Sequence, residues 1–178
     1  MTVASWFSKM TGSSMTLDHL EDLLVEQLRD LYDAEDKLIA ALPKMAASAT
    51  CSELKNAFQQ HLNETRNQKT RLEKAFRALG HEPESETCEA MQGLIAEGEE
   101  VMNASGDPLV KDAALIAAAQ RVEHYEIAGY GCARTFARQL GRQDVAELLQ
   151  QTLEEEAAAD EKLTRIAETL VNPKAARK

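Results

Sequence analysis

The stretch Leu24-Val-Glu-Gln-Leu28-Arg-Asp-Leu31-Tyr-Asp-Ala-Glu35-Asp-Lys-Leu38-Ile-Ala-Ala-Leu42-Pro-Lys-Met45 decides the fold. Its large apolar residues recur at alternating spacings of four and three, the seam of a helix packed against other helices. One slot in that seam is wrong for a core: Glu35 stands where every neighbouring turn places a hydrophobe. The pattern repeats downstream. One later seam reads Ile116, Ala119, Glu123, Glu126, Tyr130, Ala133, Ala137, Leu140, and the last reads Leu149, Thr152, Glu156, Ala159, Leu163, Ile166, Leu170. An unpaired carboxylate in a core costs several kcal/mol, so these acids need cations or must hold protons.

Composition agrees with an all-α chain. The 178 residues suffice for one domain with a substantial core, and Gly and Pro are sparse at 8 and 4. Aromatic residues are only 4%, so aliphatic side chains must build the core. The formal net charge of −10 argues against nucleic acid or an anionic membrane as a partner. No segment has the length and apolarity of a transmembrane span, and residues 1–15 lack the apolar run of a signal peptide. The three cysteines, Cys51, Cys88 and Cys132, show no paired metal-ligand spacing and suit a reducing compartment. A cytoplasmic location is expected.

Residues 1–15, with a Trp6–Phe7 pair, read as a flexible leader, residues 16–171 as the helical domain, and 172–178 as a tail. The first helix is expected from an N-cap at Thr16 to about Ser48, with a kink at Pro43. Thr50-Cys-Ser-Glu53 fits a capping box opening a second helix that ends at Gly80. A shorter helix, weakened by Gly93 and Gly98, is expected over about 85–103. Asp107-Pro108 opens the next, Gly141 stops it, and the last helix covers about 142–171. Two hairpins with short loops, joined by a long link carrying a short fifth helix, predict a ferritin-like four-helix bundle with one end-to-end crossover. A faint internal repeat supports this, since Glu35 and Glu64 stand about as far apart as Glu126 and Glu156.

The second helix adds a histidine. Its stripe runs Leu54, Ala57, Phe58, His61, Thr65, Gln68, Leu72, and Glu64 lies at its edge. His61 and Glu64, three apart, share a helix face, as do Glu123 and Glu126, and Glu156 and Asp160, four apart. Imidazole and carboxylates suit iron, manganese or zinc. The candidate metal ligands are therefore Glu35, His61, Glu64, Glu123, Glu126, Glu156 and Asp160, set for a dinuclear centre whose bridging carboxylates offset cation repulsion. The competing reading makes the seam acids register-setting partners of Arg121 or Arg134, His61 a satisfied core histidine, and Glu64 and Asp160 solvent-facing. Tyr32 and Tyr130 align with the acids, as core residues or as hydrogen-bonding partners of a ligand. His124 falls out of the seam, towards solvent or an oligomer contact.

The strings Leu31-Tyr-Asp-Ala-Glu35, His61-Leu-Asn-Glu-Thr65, Ala114-Leu-Ile-Ala-Ala-Ala-Gln120, Val122-Glu-His-Tyr-Glu-Ile127 and Thr152-Leu-Glu-Glu-Glu156 resemble those of the YciF-like bacterial stress proteins, from about Thr16 to Val171. The resemblance implies a rubrerythrin-type bundle, a stress role, a homodimer and a carboxylate-bridged centre of two iron ions, with manganese as the alternative. The resemblance implies no particular reaction; the leading functional expectation from such a centre is an oxidoreductase-type protein whose reduced metals meet peroxide or dioxygen in the bundle core. The paired Glu123 and Glu126 resemble the rubrerythrin arrangement. Two departures stand out. Ferritin-like di-iron sites carry Glu-x-x-His on two helices. Here Glu64 is followed three residues on by Asn67 and Glu156 by Ala159, while no tetracysteine iron–sulfur module is present. A non-catalytic iron buffer or a purely structural dimer is the alternative function.

Overall fold

The computed structural model describes residues 16–177, and the leader expected over 1–15 lies outside them. The helices are α1 (Leu20–Ser48), α2 (Ser52–Ala78), α3 (Glu89–Asn103), α4 (Pro108–Gln139) and α5 (Gln143–Ile166). A π-helical turn (Ala167–Val171) and a last turn, α6 (Asn172–Ala175), follow. Pro43 is carried inside α1 without ending it. Gly80 (φ 83°) and Gly141 (φ 73°) stop α2 and α4 in the left-handed conformation that only glycine adopts without strain. The N–H groups of His81 and Arg142 then donate back to the carbonyls of Phe76 and Ala137, each at 2.9 Å.

Three helix starts differ from expectation. α1 opens a turn after Thr16, where Asp22 reaches back to accept from the N–H groups of His19 (2.7 Å) and Asp18 (3.0 Å). The Thr50–Glu53 capping box does not form. The Thr50 hydroxyl donates to Asp112 Oδ2 instead (2.6 Å), Glu53 accepts from Ser52 (2.8 Å), and Cys51 is the N-cap of α2. α3 also starts a turn later than Ser85, because the Cys88 N–H is held by Asp33 Oδ2 at 2.8 Å. By contrast Asp107 caps α4 as expected, accepting from the Leu109 N–H at 2.8 Å.

These bonds fix the topology. Asp112, near the start of α4, grips the α1–α2 turn, whereas Tyr130, further along α4, bonds Glu35 in mid-α1. α4 therefore runs antiparallel to α1. α3 lies along α1, from Asp33 against Cys88 to Lys44 against Glu99 (3.0 Å), and so carries the chain from one end of the bundle to the other. That is the ferritin-like crossover.

The core is divided. One apolar cluster gathers Leu38, Leu42, Phe58, Ile116 and Leu163, and the other Leu24, Leu28, Leu72, Phe76 and Leu149. Between them lies a buried polar layer drawn from α1, α2, α4 and α5: Glu35, His61, Thr65, Gln68, Glu123, Glu126, Thr152 and Glu156.

Asp112 gives a first expected result. Fully buried, it accepts from the Thr50 N–H and hydroxyl and from the Cys51 N–H, at 2.6–2.8 Å. Asp112→Ala strands these donors, and urea unfolding should show a loss of about 3 kcal/mol. Asp112→Asn, which keeps one acceptor, should lose about half as much.

Candidate metal centre

Packing of the four long helices brings His61, Glu123, Glu126 and Glu156 together. One ligand atom from each lies within 4.8 Å of the others. His61 Nε2 stands 3.4 Å from Glu123 Oε1 and 3.7 Å from Glu156 Oε2. These side chains are almost wholly buried: Glu156 is 0% exposed, Glu126 1%, Glu123 3% and His61 5%. Glu35, also 0% exposed, joins them from α1 with one oxygen accepting from the Tyr130 hydroxyl.

The remaining polar atoms lack hydrogen-bond partners. Both carboxylate oxygens of Glu126 and of Glu156, one each of Glu123 and Glu35, and both nitrogens of His61 are buried and unpaired. Buried polar atoms are nearly always satisfied, so such a concentration at one point fits a place built to hold cations. The donor set, carboxylates with one imidazole, suits iron, manganese or zinc.

Electrostatics agree. Burial pushes the Glu35 carboxyl up to about 8; Tyr130 and His61 oppose the shift and Glu123 adds to it. Glu126 and Glu156 are raised well above the usual carboxylate range, by burial first and then by neighbouring acids. Burial works to lower the His61 imidazole, but Glu123, Glu64 and Glu35 outweigh it and hold it raised. The arginines that could have paired with the seam acids are engaged elsewhere. Arg134 donates to Gln150 at 2.6 Å, and Arg121 approaches Glu97 at 4.0 Å on the surface.

The other candidates stand outside the quartet. Glu64 is half-buried beyond His61, its Oε2 3.6 Å from Nδ1, and accepts from Gln60 at 2.8 Å. Its carboxyl is lowered, chiefly by His61. Asp160, one turn past Glu156, turns to the α4–α5 edge, where it accepts from Gln120 (3.0 Å) and lies 3.5 Å from the exposed His124. Tyr32 also points away, donating to Glu73 at 3.3 Å. Arg71, which helical spacing does not single out, forms two 2.6 Å bonds with Glu155, which also accepts from the buried Gln68 at 3.2 Å. The polar Thr65 and Gln68 inside the α2 stripe are the sequence signal of this layer. A cleft of about 490 Å³ between α2 and α5 opens onto His61 and Glu123.

A ferritin-like bundle with a buried cluster of acids and a histidine on its seams is the class of protein defined here. Residues 19–176 match the family described as a domain of unknown function, DUF892, and the chain belongs to that family. It is 45% identical to Protein YciF of Escherichia coli (strain K12) over 165 residues, covering 92% of this chain and 99% of that one. The crystal structure of the E. coli stress protein YciF superposes with a TM-score of 0.84 at 44% identity, covering 88% of this chain and 99% of that one. YcfI of Rhodopseudomonas palustris gives 0.82 at 44% identity, covering 85% and 96%. A Xanthomonas campestris protein, XCC3681, shares the fold at 24% identity, with a TM-score of 0.69 and coverage of 89% and 97%. Among the described residues no helix is long and apolar enough to cross a membrane.

Proposed function

We propose that this chain is a stress-response protein holding a carboxylate-bridged dinuclear metal centre, iron before manganese, that meets peroxide or dioxygen. The carrying observation is the convergence of orphaned carboxylate oxygens and imidazole nitrogens at one buried point. Glu35, Glu123, Glu126 and Glu156 with His61 would be the ligands. Four carboxylates carry the charge that offsets two divalent cations, whereas one cation would leave a buried excess of negative charge. Glu64, on the outer side of His61, would orient the imidazole ring. Tyr130 holds Glu35 in place, and the apolar clusters above and below exclude water. A ferrous pair would supply the two electrons that peroxide reduction takes. The description of the E. coli relative as a stress protein is in keeping with this role.

Metal content tests the reading. Protein reconstituted anaerobically with ferrous iron should bind about two ions per chain, as two divalent cations would offset four carboxylates. Saturation should raise the melting temperature by on the order of 10 °C, since a ligand selective for the native state stabilises it. Absence of bound metal after reconstitution would overturn it. Peroxide consumed over many turnovers marks an enzyme, and stoichiometric consumption an iron buffer. A structural reading has two points in its favour: a protonated His61 between Glu123, Glu156 and Glu64 would partly neutralise the layer by itself, and the R. palustris relative is described as a structural protein. That version requires unchanged melting with iron and with chelator.

A further inference from the structure

The α2–α5 cleft is far larger than the smallest oxidants need. Its volume of about 490 Å³ falls in the range of sites for organic ligands, roughly 300–1,000 Å³. Hydrogen peroxide, little larger than a water molecule at about 30 Å³, would leave it mostly filled with solvent. Its inner end is formed by His61 and Glu123, two members of the buried quartet.

The walls say what kind of molecule fits. Ala57, Phe58 and Leu163 are buried apolar residues that line the cleft, and Ala158 and Ala159 extend the apolar strip along α5. Charges at the rim are unfavourable to an anion. Glu64, Glu154, Glu155 and Glu161 there face three cations, Arg71, Lys162 and Arg165, and Glu123 adds a further carboxylate at the inner end. Two of those cations are engaged: Arg71 with Glu155 and Lys162 with Gln60 Oε1 at 2.7 Å. A carboxylate or phosphate ligand would meet net negative charge, so an uncharged molecule with an apolar body suits the cleft better than an anion.

We propose that the cleft is the binding site of a neutral alkyl or aryl hydroperoxide, its apolar tail along Phe58, Leu163 and Ala158 and its O–O group towards His61 and Glu123. The identity of the reacting group rests on the metal reading above, whereas the neutral, apolar character of the ligand rests on the cleft alone. Reduction balances as ROOH + 2 H⁺ + 2 e⁻ giving ROH and water. The O–O bond would break, a ferrous pair held by these residues would supply the two electrons by one-electron oxidation of each ion, and solvent in the cleft would supply both protons.

The first test needs no metal. Metal-free protein is titrated with 2-phenyl-2-propanol, the unreactive alcohol product of cumene hydroperoxide, and followed by amide NMR. Saturable shifts centred on Ala57, Phe58, Ala158 and Leu163 are expected. Ala158→Trp, which fills the cleft from an exposed helical position, should abolish them. Ala157→Trp, exposed on the same helix outside the lining, should not. Shifts that are absent, lie elsewhere or survive Ala158→Trp would overturn the proposal, and the unsubstituted protein alone decides the first two. In iron-loaded protein Ala158→Trp should lower the ratio of cumene hydroperoxide to hydrogen peroxide consumption about tenfold. Iron binding without alcohol binding would sink the cleft proposal and spare the metal centre. Alcohol binding without iron binding would leave a site for neutral organic molecules but remove the hydroperoxide chemistry.

Discussion

Metal-free protein should become less stable as the pH rises from about 5 to about 8, with a fall in melting temperature on the order of 10 °C. The Glu35 carboxyl is pushed up to about 8 in the fold by burial, and Glu126 and Glu156 are pushed well above the usual range. In the unfolded chain the same groups lose their protons near 4.5. Between those values the native state binds more protons than the unfolded one, so each increment of pH favours unfolding. His61 acts in the same direction, because its raised imidazole keeps a proton in the fold above 6.5 that the unfolded chain releases. Glu64, lowered in the fold, stabilises it as pH rises through the unfolded value, and its contribution is complete above about 5. A carboxyl that keeps its proton through one further pH unit in the fold than in the unfolded chain changes stability by about 1.4 kcal/mol, and with three such carboxyls the sum reaches several kcal/mol. Bound metal reverses the slope, since the ionised carboxylates are then the ligands. Melts at pH 5, 6.5 and 8, with chelator and with iron, give the comparison. A chelated protein whose melting temperature is flat or rises with pH would show that the acids are ionised and paired without metal.

The acid layer was legible because helical periodicity reports burial directly. Glu35, Glu123, Glu126 and Glu156 occupy slots that neighbouring turns fill with hydrophobes, and the structure finds each almost wholly buried. His61 was legible in the same way. Asp160 marks where that signal stops. Spacing fixes the angle of a residue about its own helix, but the neighbour it meets depends on the register between helices. One turn beyond Glu156, the short Asp160 side chain meets Gln120 and His124 at the bundle edge. The same limit governed the caps. Thr50 carries a good local capping pattern, yet its hydroxyl bonds Asp112, 62 residues away, and a carboxylate on α1 holds the amide that precedes α3. Local sequence carries no trace of an acceptor delivered from another helix. Arg121 and Arg134 sit on the same helix as Glu123 and Glu126, but Glu97 and Gln150 take them.

Glu126→Gln should produce two large effects of opposite sign. In metal-free protein at pH 8 it replaces a buried carboxyl, crowded by Glu35 and Glu123, with a neutral amide of nearly the same size. Ionisation at this position is lost along with its repulsion, and the new amide can donate to orphaned oxygens nearby. Melting should therefore rise by several degrees at pH 8, for a gain of about 1–2 kcal/mol. At pH 5 little should change, because the native Glu126 already holds its proton there. The stabilisation conferred by iron should nearly vanish, as an amide neither bridges two cations nor offsets their charge. The pair of measurements separates the roles of the residue. If the variant still binds two irons, Glu126 is not a ligand and the centre must be rebuilt around Glu35, Glu123 and Glu156. If the metal-free variant instead melts lower at pH 8, the ionised Glu126 was stabilised in the fold. The layer would then be a network of paired charges with no need of metal.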